Sequence, residues 1–314
     1  MYKKINHKAG SNIGKAYFII SMAMVIFAIL FILSVIFYYG IDAISWEFLT
    51  SEPNASAFDM ESGGILTPII GTTLLTILGI AVAFPFALAT AIYLVFYSKK
   101  GLFRSLVKIA VDILSGVPTV VIALFALVIF TQPQLSFLSV MIEGVEGTNR
   151  AYGRSFLVSG ITMAIMILPF VIKSMEEALK SVPISYLDAS FALGAGKWHT
   201  ISKIALGSAR DGLVTGTILG MGRIIGDTSI VWLTLGGTLR MTGIQPWYSP
   251  ENWMSTLQNT GSTLTSFIYF ASPAGEGNSI EVAFGASIIL IIIIIILNIL
   301  ASLIGYFGGE SNEK

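Results

Sequence analysis

Apolar residues in this chain come in long unbroken runs, not at the alternating or three-and-four spacing of elements with one wet face. Runs long enough to cross about 30 Å of hydrocarbon, which takes about 20 helical residues, lie near 17–39, 69–97, 109–131, 155–174, 213–238 and 281–307. They predict an all-α integral membrane protein with six transmembrane helices. The chain then divides into an N-terminal segment 1–16, a first transmembrane helix 17–39, an external loop 40–68, a transmembrane domain 69–307 containing a cytoplasmic loop at 176–206, and a C-terminal segment 308–314. The first run is longer than a signal-peptide core, with no small-residue cleavage pattern after Tyr39, and reads as an uncleaved helix. Pro85 and Pro169 fall inside runs, where each removes a backbone donor and predicts a packing kink. Ile288 to Leu297 is Ile and Leu throughout, a lipid-facing surface.

Basic residues orient the runs, because short loops rich in Lys and Arg stay in the cytoplasm. Lys3, Lys4, Lys8 and Lys15 precede the first run. Lys99, Lys100, Arg104 and Lys108 follow the second, and Lys173, Lys180, Lys197, Lys203 and Arg210 surround the loop at 176–206. The alternate loops hold Arg150, Arg154 and Arg240, and the region between the first two runs has Asp42, Glu47, Glu52, Asp59 and Glu61 without Lys or Arg. Both termini are predicted cytoplasmic, in a multi-pass plasma (inner) membrane protein whose surroundings are lipid.

Composition narrows the function classes. The 314 residues are 54% hydrophobic and 11% charged, with 18 basic and 18 acidic side chains. A neutral chain lacks the basic surface that a nucleic-acid partner requires. Without cysteine there is no disulfide, thiolate metal site or thiol nucleophile. The two histidines, His7 and His199, have no metal-ligand partner at useful spacing, so neither a metal site, a cofactor site nor a catalytic constellation is expected. Gly196-Lys197 is followed by Trp198 and Gly14-Lys15 by Ala16, so no phosphate-cradling loop is completed.

The loop at 176–206 is patterned. Pro183 can open a helix, Tyr186, Ala189, Ser190 and Leu193 recur on one helical face, and Gly194 is a C-terminal cap. A second helix, Lys197 to Leu206, follows. Periodicity is met equally by a docking knob below the membrane and by an amphipathic linker lying on headgroups, which Trp198 and the lysines would suit.

In the fifth run, Gly216, Gly220, Arg223 and Asp227 are spaced four, three and four residues apart and share one stripe. Small residues allow close helix packing, so the stripe faces protein. An unpaired charge at this depth costs at least about 2.5 kcal/mol, which makes Arg223 and Asp227 candidates for the translocation path. The competing reading is a local ion pair, although Arg four residues before an acid is the weaker order. Asp112, one turn after Lys108, reads as structural. An arginine in a protein-lined path suits an oxyanion, whose oxygens match its planar fork. A nearby carboxylate favours phosphate, which keeps a proton at neutral pH, over sulfate, which has none to donate.

Family resemblance adds to these readings. Asp188-Ala189-Ser190, Gly194, and Ile204-Ala205-Leu206-Gly207 after nine residues resemble the EAA loop of ABC-importer permeases, with Asp188 for Glu, Ser190 for Ala and Gly207 for Pro. Gly63-Gly64-Ile65 with Gly71-Thr72, Ala91-Ile92-Tyr93-Leu94, Gly116-Val117-Pro118-Thr119-Val120-Val121, and Arg223-Ile224-Ile225-Gly226-Asp227-Thr228 resemble the phosphate-specific ABC permeases, most of all the A-type subunit. The last motif has Asp227 where that family has Glu, and Ser229-Ile230 where it has Ala-Pro.

The resemblance implies the MetI-like fold of type I ABC importers and a non-catalytic permease subunit for inorganic phosphate. The same machinery for sulfate, molybdate or tungstate is the alternative. It further implies Arg223, Asp227 and Thr228 on the substrate path, and Asp188, Ala189, Ser190, Gly194, Ile204 and Leu206 coupling to an ATPase. The implied partners are a second, different permease, two cytoplasmic ATPase subunits and an extracytoplasmic phosphate-binding protein. That protein would dock on the region from Arg240 to Ile280. A passive channel and an intramembrane enzyme are the rivals from other classes; the first needs no docking loop, and the second needs catalytic residues.

Overall fold

The computed structural model describes residues 7–54, 63–98, 101–143, 149–275, 277 and 279–311. Lys3, Lys4, Asp59, Glu61, Lys99 and Lys100 lie outside the described residues. Helix α1 (His7–Gly40) is followed by a short α2 (Trp46–Thr50), then α3 (Leu66–Ile92), which continues through a π-helical turn to Tyr97. Next come α4 (Leu102–Gly116), α5 (Thr119–Phe130), a two-stranded antiparallel hairpin of β1 (Met141–Glu143) and β2 (Asn149–Ala151), and α6 (Phe156–Lys180). The loop segment holds α7 (Ile184–Ala192), α8 (Lys197–His199) and α9 (Leu206–Ser208), and α10 (Arg210–Gly226) follows. A π-helical segment (Val231–Leu235), α11 (Trp253–Gln258), α12 (Leu264–Ala271) and α13 (Ile280–Ser311) complete the chain.

Among the described residues four helices are long and apolar enough to cross a membrane: Gly14–Ala43, Leu66–Tyr97, Phe156–Lys180 and Ile280–Leu300. A fifth crossing results if α4 and α5 form one span, although they are bent by 102°. The expected run 109–131 is therefore two helices. Pro118 has no amide proton and pushes Val117 into extended backbone (φ −75°, ψ 128°), which ends α4 at Gly116. The expected run 213–238 is also interrupted: α10 stops at Gly226, and helical geometry resumes at Ser229. In contrast, α3 and α6 run through Pro85 and Pro169.

The core is α3 packed along α6, with α10 laid against both. Glycines set the spacing. A Cβ at Gly160 of α6 would lie 2.9 Å from the Leu78 Cβ, and one at Gly79 of α3 would lie 2.7 Å from Ile224 Cδ1 of α10. On α10 Gly212, Gly216 and Gly220 stand opposite Ala178, Ser174 and Val171 of α6, so the small-residue stripe faces protein as expected. Buried hydroxyls return to their own helix: Thr72, Thr76, Thr162 and Thr217 each donate to the carbonyl four residues back, at 2.7–2.8 Å. A second cluster joins Phe48, Ile65, Leu264 and Phe267 to the start of α13. Helix α1 meets α13 where Gly40 closes on Phe284 and Gly285 and the Tyr39 ring stacks on Phe284 at 5.7 Å, and most of its described apolar side chains are exposed, as lipid contact requires.

Candidate translocation site and coupling segment

Ion pairs gather at the lysine-rich end of α6 and differ from the one-turn pairing of Asp112 with Lys108. Lys173 reaches Asp112 at 2.7 Å, while Lys180 and Lys108 reach Glu176 at 2.7 and 3.6 Å. The Lys173–Asp112 and Lys108–Glu176 pairs fasten α4 beside α6, which local sequence spacing could not reveal, whereas Lys180–Glu176 is a one-turn pair within α6.

Arg223 and Asp227 do not pair with each other. Because α10 ends at Gly226, Asp227 is extended (φ −83°, ψ 124°), and the stripe carries Gly216, Gly220 and Arg223 but not Asp227. Asp227 instead caps the next segment: its Oδ1 accepts from the Ile230 amide at 2.7 Å. That cap explains how the chain breaks here without the proline the related motif carries. Its main-chain oxygen accepts from Thr265 Oγ1 at 3.3 Å, which ties α12 to the break. Thr119, the first residue of α5, lies beside the Asp227 carboxylate. The Arg223 guanidinium lies 5.2 Å from the ring centre of Phe170, a cation–π contact, and is exposed on the surface of the chain.

Thr228 and Ser229 line an open concavity of about 280 Å³ with Val120, Leu233, Trp232 and Tyr269. Trp232 packs edge-on against Tyr269 at 4.8 Å. The structure thus brings Asp227 and Thr228 together with Thr119, Thr265 and Tyr269, which no local pattern joined to them. Thr119 alone left a trace in sequence, following the proline of the Gly116–Val121 motif.

The loop segment folds as two helices meeting at Gly194, whose φ of +79° is the left-handed value that favours glycine. The Gly194 amide donates to the Phe191 carbonyl at 2.9 Å and the Ala195 amide to the Ser190 carbonyl at 3.2 Å, closing α7. Ser190 is buried, and its hydroxyl meets that of Thr200 at 2.9 Å, joining the two helices. Tyr186, Ala189, Ser190 and Leu193 line a concavity of about 700 Å³ with Gly194, His199 and Ile204. Asp188 and Ala189 are exposed, Ile204 and Leu206 are half-buried, and Leu193 is 89% exposed. The second helix runs from Lys197 through a π-helical stretch to Ser208, past the expected end at Leu206, because Gly207 keeps the amide that a proline would lack. Lys197 Nζ sits 4.3 Å over the Tyr97 ring, attaching the segment to the end of α3.

A model of the family described as binding-protein-dependent transport system inner membrane component matches residues 83–307. The chain belongs to that family. It is similar to a probable ABC transporter permease protein, YqgI, of Bacillus subtilis (strain 168), at 24% identity over 96% of this chain and 97% of the relative. It is also similar to the phosphate transport system permease protein PstA of Yersinia pestis, at 28% identity over 91% of this chain and 88% of the relative. Among solved structures, a bacterial alginate ABC transporter in complex with its pentasaccharide-bound periplasmic protein contains a chain of the same fold. There the TM-score is 0.60 at 16% identity, covering 93% of this chain and 94% of that one. This member of the binding-protein-dependent permease family is a multi-pass, non-catalytic transmembrane subunit of an ABC importer, with ATP hydrolysis in partner chains.

Proposed function

We propose that the chain is one of two different permease subunits that together pass inorganic phosphate into the cell, driven by two cytoplasmic ATPase subunits and supplied by an external phosphate-binding protein. In this reading it has six spans and cytoplasmic termini, the sixth crossing being α10 together with the segment after Asp227. Arg223, Asp227 and Thr228 would line the substrate path. The observation that carries the reading is the break at Asp227, which sets a guanidinium, a carboxylate and the Thr119 and Thr228 hydroxyls around the end of α10, the crossing that this reading proposes. Unwound backbone at such depth persists only where it is buried in protein or lines a cavity.

Arg223 would supply planar donors to the phosphate oxygens. A carboxylate offers about four lone-pair sites, so Asp227 can cap Ile230 and still accept the proton that phosphate keeps at neutral pH. In alternating access, ATP closes the ATPases, the segment from Pro183 to Leu206 moves with them, and α10 carries the site from outward to inward exposure. Asp188, Ala189, Ser190, Gly194, Ile204 and Leu206 would make or support that coupling contact. A second reading, the same machine for sulfate, molybdate or tungstate, draws on Asp227, one methylene shorter than the Glu of the related motif.

ATP-driven uptake of radiolabelled phosphate by the co-expressed complex, challenged with excess sulfate, molybdate and tungstate, tests both readings. Competition by phosphate analogues alone is the expected result. Uptake of a different oxyanion in place of phosphate would select the second reading, and uptake of none would refute the path assignment.

A further inference from the structure

We propose that Arg154 is an outer capture site for the oxyanion, holding it between release from the binding protein and arrival at Arg223; this rests on the path reading above. Two neighbouring walls lead from one residue to the other. The first is α5, which begins with Thr119 beside Asp227 and ends at Phe130, where a Cβ on Gly153 would lie 2.7 Å from Thr131 Cγ2. Twelve helical residues rise roughly 18 Å. The second is the segment from Thr228 to Gly236, packed against α5, where a Cβ on Gly236 would lie 3.8 Å from Arg154 Cδ. The Ser155 amide donates to the Thr234 carbonyl at 2.9 Å, fixing that wall to the start of α6. Both walls start beside Asp227; the first ends against Gly153 and the second against Arg154 itself, which the charge pattern places on the outer side.

Arg154 is half-buried, and among the described residues its guanidinium makes no ion pair and no hydrogen bond. Its guanidinium lies 6.0 Å from the centre of the Tyr152 ring. Arg240, also assigned to the outer side, is by contrast engaged, with Nε donating to the Pro53 carbonyl at 2.8 Å. A partly desolvated guanidinium with five donors and no acceptor among the described residues favours an anion supplied from outside. Phosphate and the other oxyanions present the oxygens its fork fits.

The test uses the complete importer in liposomes with its loaded binding protein, measuring phosphate transported per ATP hydrolysed and ATPase stimulation by the binding protein. Arg154→Gln should lower phosphate per ATP about tenfold and leave stimulation within about twofold of the wild type. Arg154→Lys should keep at least about half the wild-type ratio, since charge is retained. This chain has no cysteine. In an otherwise cysteine-free complex, Arg154→Cys treated with a cationic aminoethyl methanethiosulfonate should regain transport, and treatment with the neutral methyl reagent should not.

Unchanged phosphate per ATP in Arg154→Gln, or equal recovery with both reagents, would overturn the proposal. So would stimulation falling in step with uptake, which would make Arg154 a binding-protein contact. A wild-type complex that carries no oxyanion refutes the path reading instead, and one that carries a different oxyanion moves the same tests to that anion.

Discussion

Gly216 on α10 and Ser174 on α6 meet so closely that a Cβ at Gly216 would fall on the Ser174 hydroxyl and lie 2.8 Å from its Cβ. Carbon atoms rest at about 3.5–4.0 Å, so Gly216→Ala must part the helices by roughly 1 Å or turn Ser174 out of its place. Overpacking of this kind costs about 1–3 kcal/mol, offset by about 1 kcal/mol of better helix propensity. The single variant should therefore lose up to about 2 kcal/mol. Ser174→Gly removes both clashing atoms and by itself should cost less than about 1 kcal/mol of propensity. The double variant should therefore be more stable than the two losses predict when added, with a coupling of about 1–3 kcal/mol. Thermal melting of the purified complex reads this as a partial recovery of the midpoint in the double variant. Uptake should follow the same order, because Arg223 lies seven residues, about two turns, beyond Gly216 on the same helix. Additivity of the two substitutions within about 0.5 kcal/mol would refute the close-contact reasoning.

Asp227→Asn keeps an N-capping side chain but removes the charge, and should preserve assembly while blunting discrimination of phosphate against sulfate in competition uptake. Asp227→Ala loses the cap as well and should cost a further roughly 1 kcal/mol in melting experiments. Gly194→Glu should leave membrane insertion and ATPase activity intact while uncoupling hydrolysis from uptake. Gly194→Ala isolates the backbone cost of its positive φ, about 1–2 kcal/mol. Ser190→Ala strands the buried Thr200 hydroxyl at a cost of about 1–3 kcal/mol, read as faster amide exchange across Lys197–Ala205; unchanged exchange would show that the Ser190–Thr200 contact does not hold the two helices together.

Much of this protein was legible in its sequence because bilayer thickness converts directly into run length. Hydropathy alone placed the crossings near α1, α3, α6 and α13, and glycine spacing alone named the face of α10 that packs on α6. Gly194 declared its turn because positive φ excludes nearly every other residue. Where the sequence misled, the cause was non-local. An apolar run does not record whether its helix is broken, so 109–131 and 213–238 read as continuous although Pro118 and the Asp227 cap divide them. The one-turn spacing of Lys108 and Asp112 offered a partner that the tertiary fold replaced with Lys173 from α6. The neighbours of Asp227, Thr119 and Thr265, and Tyr269 beside Thr228, come from segments up to about a hundred residues away in the chain. Only the packing of α5 and α12 against the break brings them to one place. Local backbone chemistry set where helices begin, bend and stop. The charged and polar groups around Asp227 were decided by which helices meet, because partners in a low-dielectric interior are chosen by proximity in space and not by order along the chain.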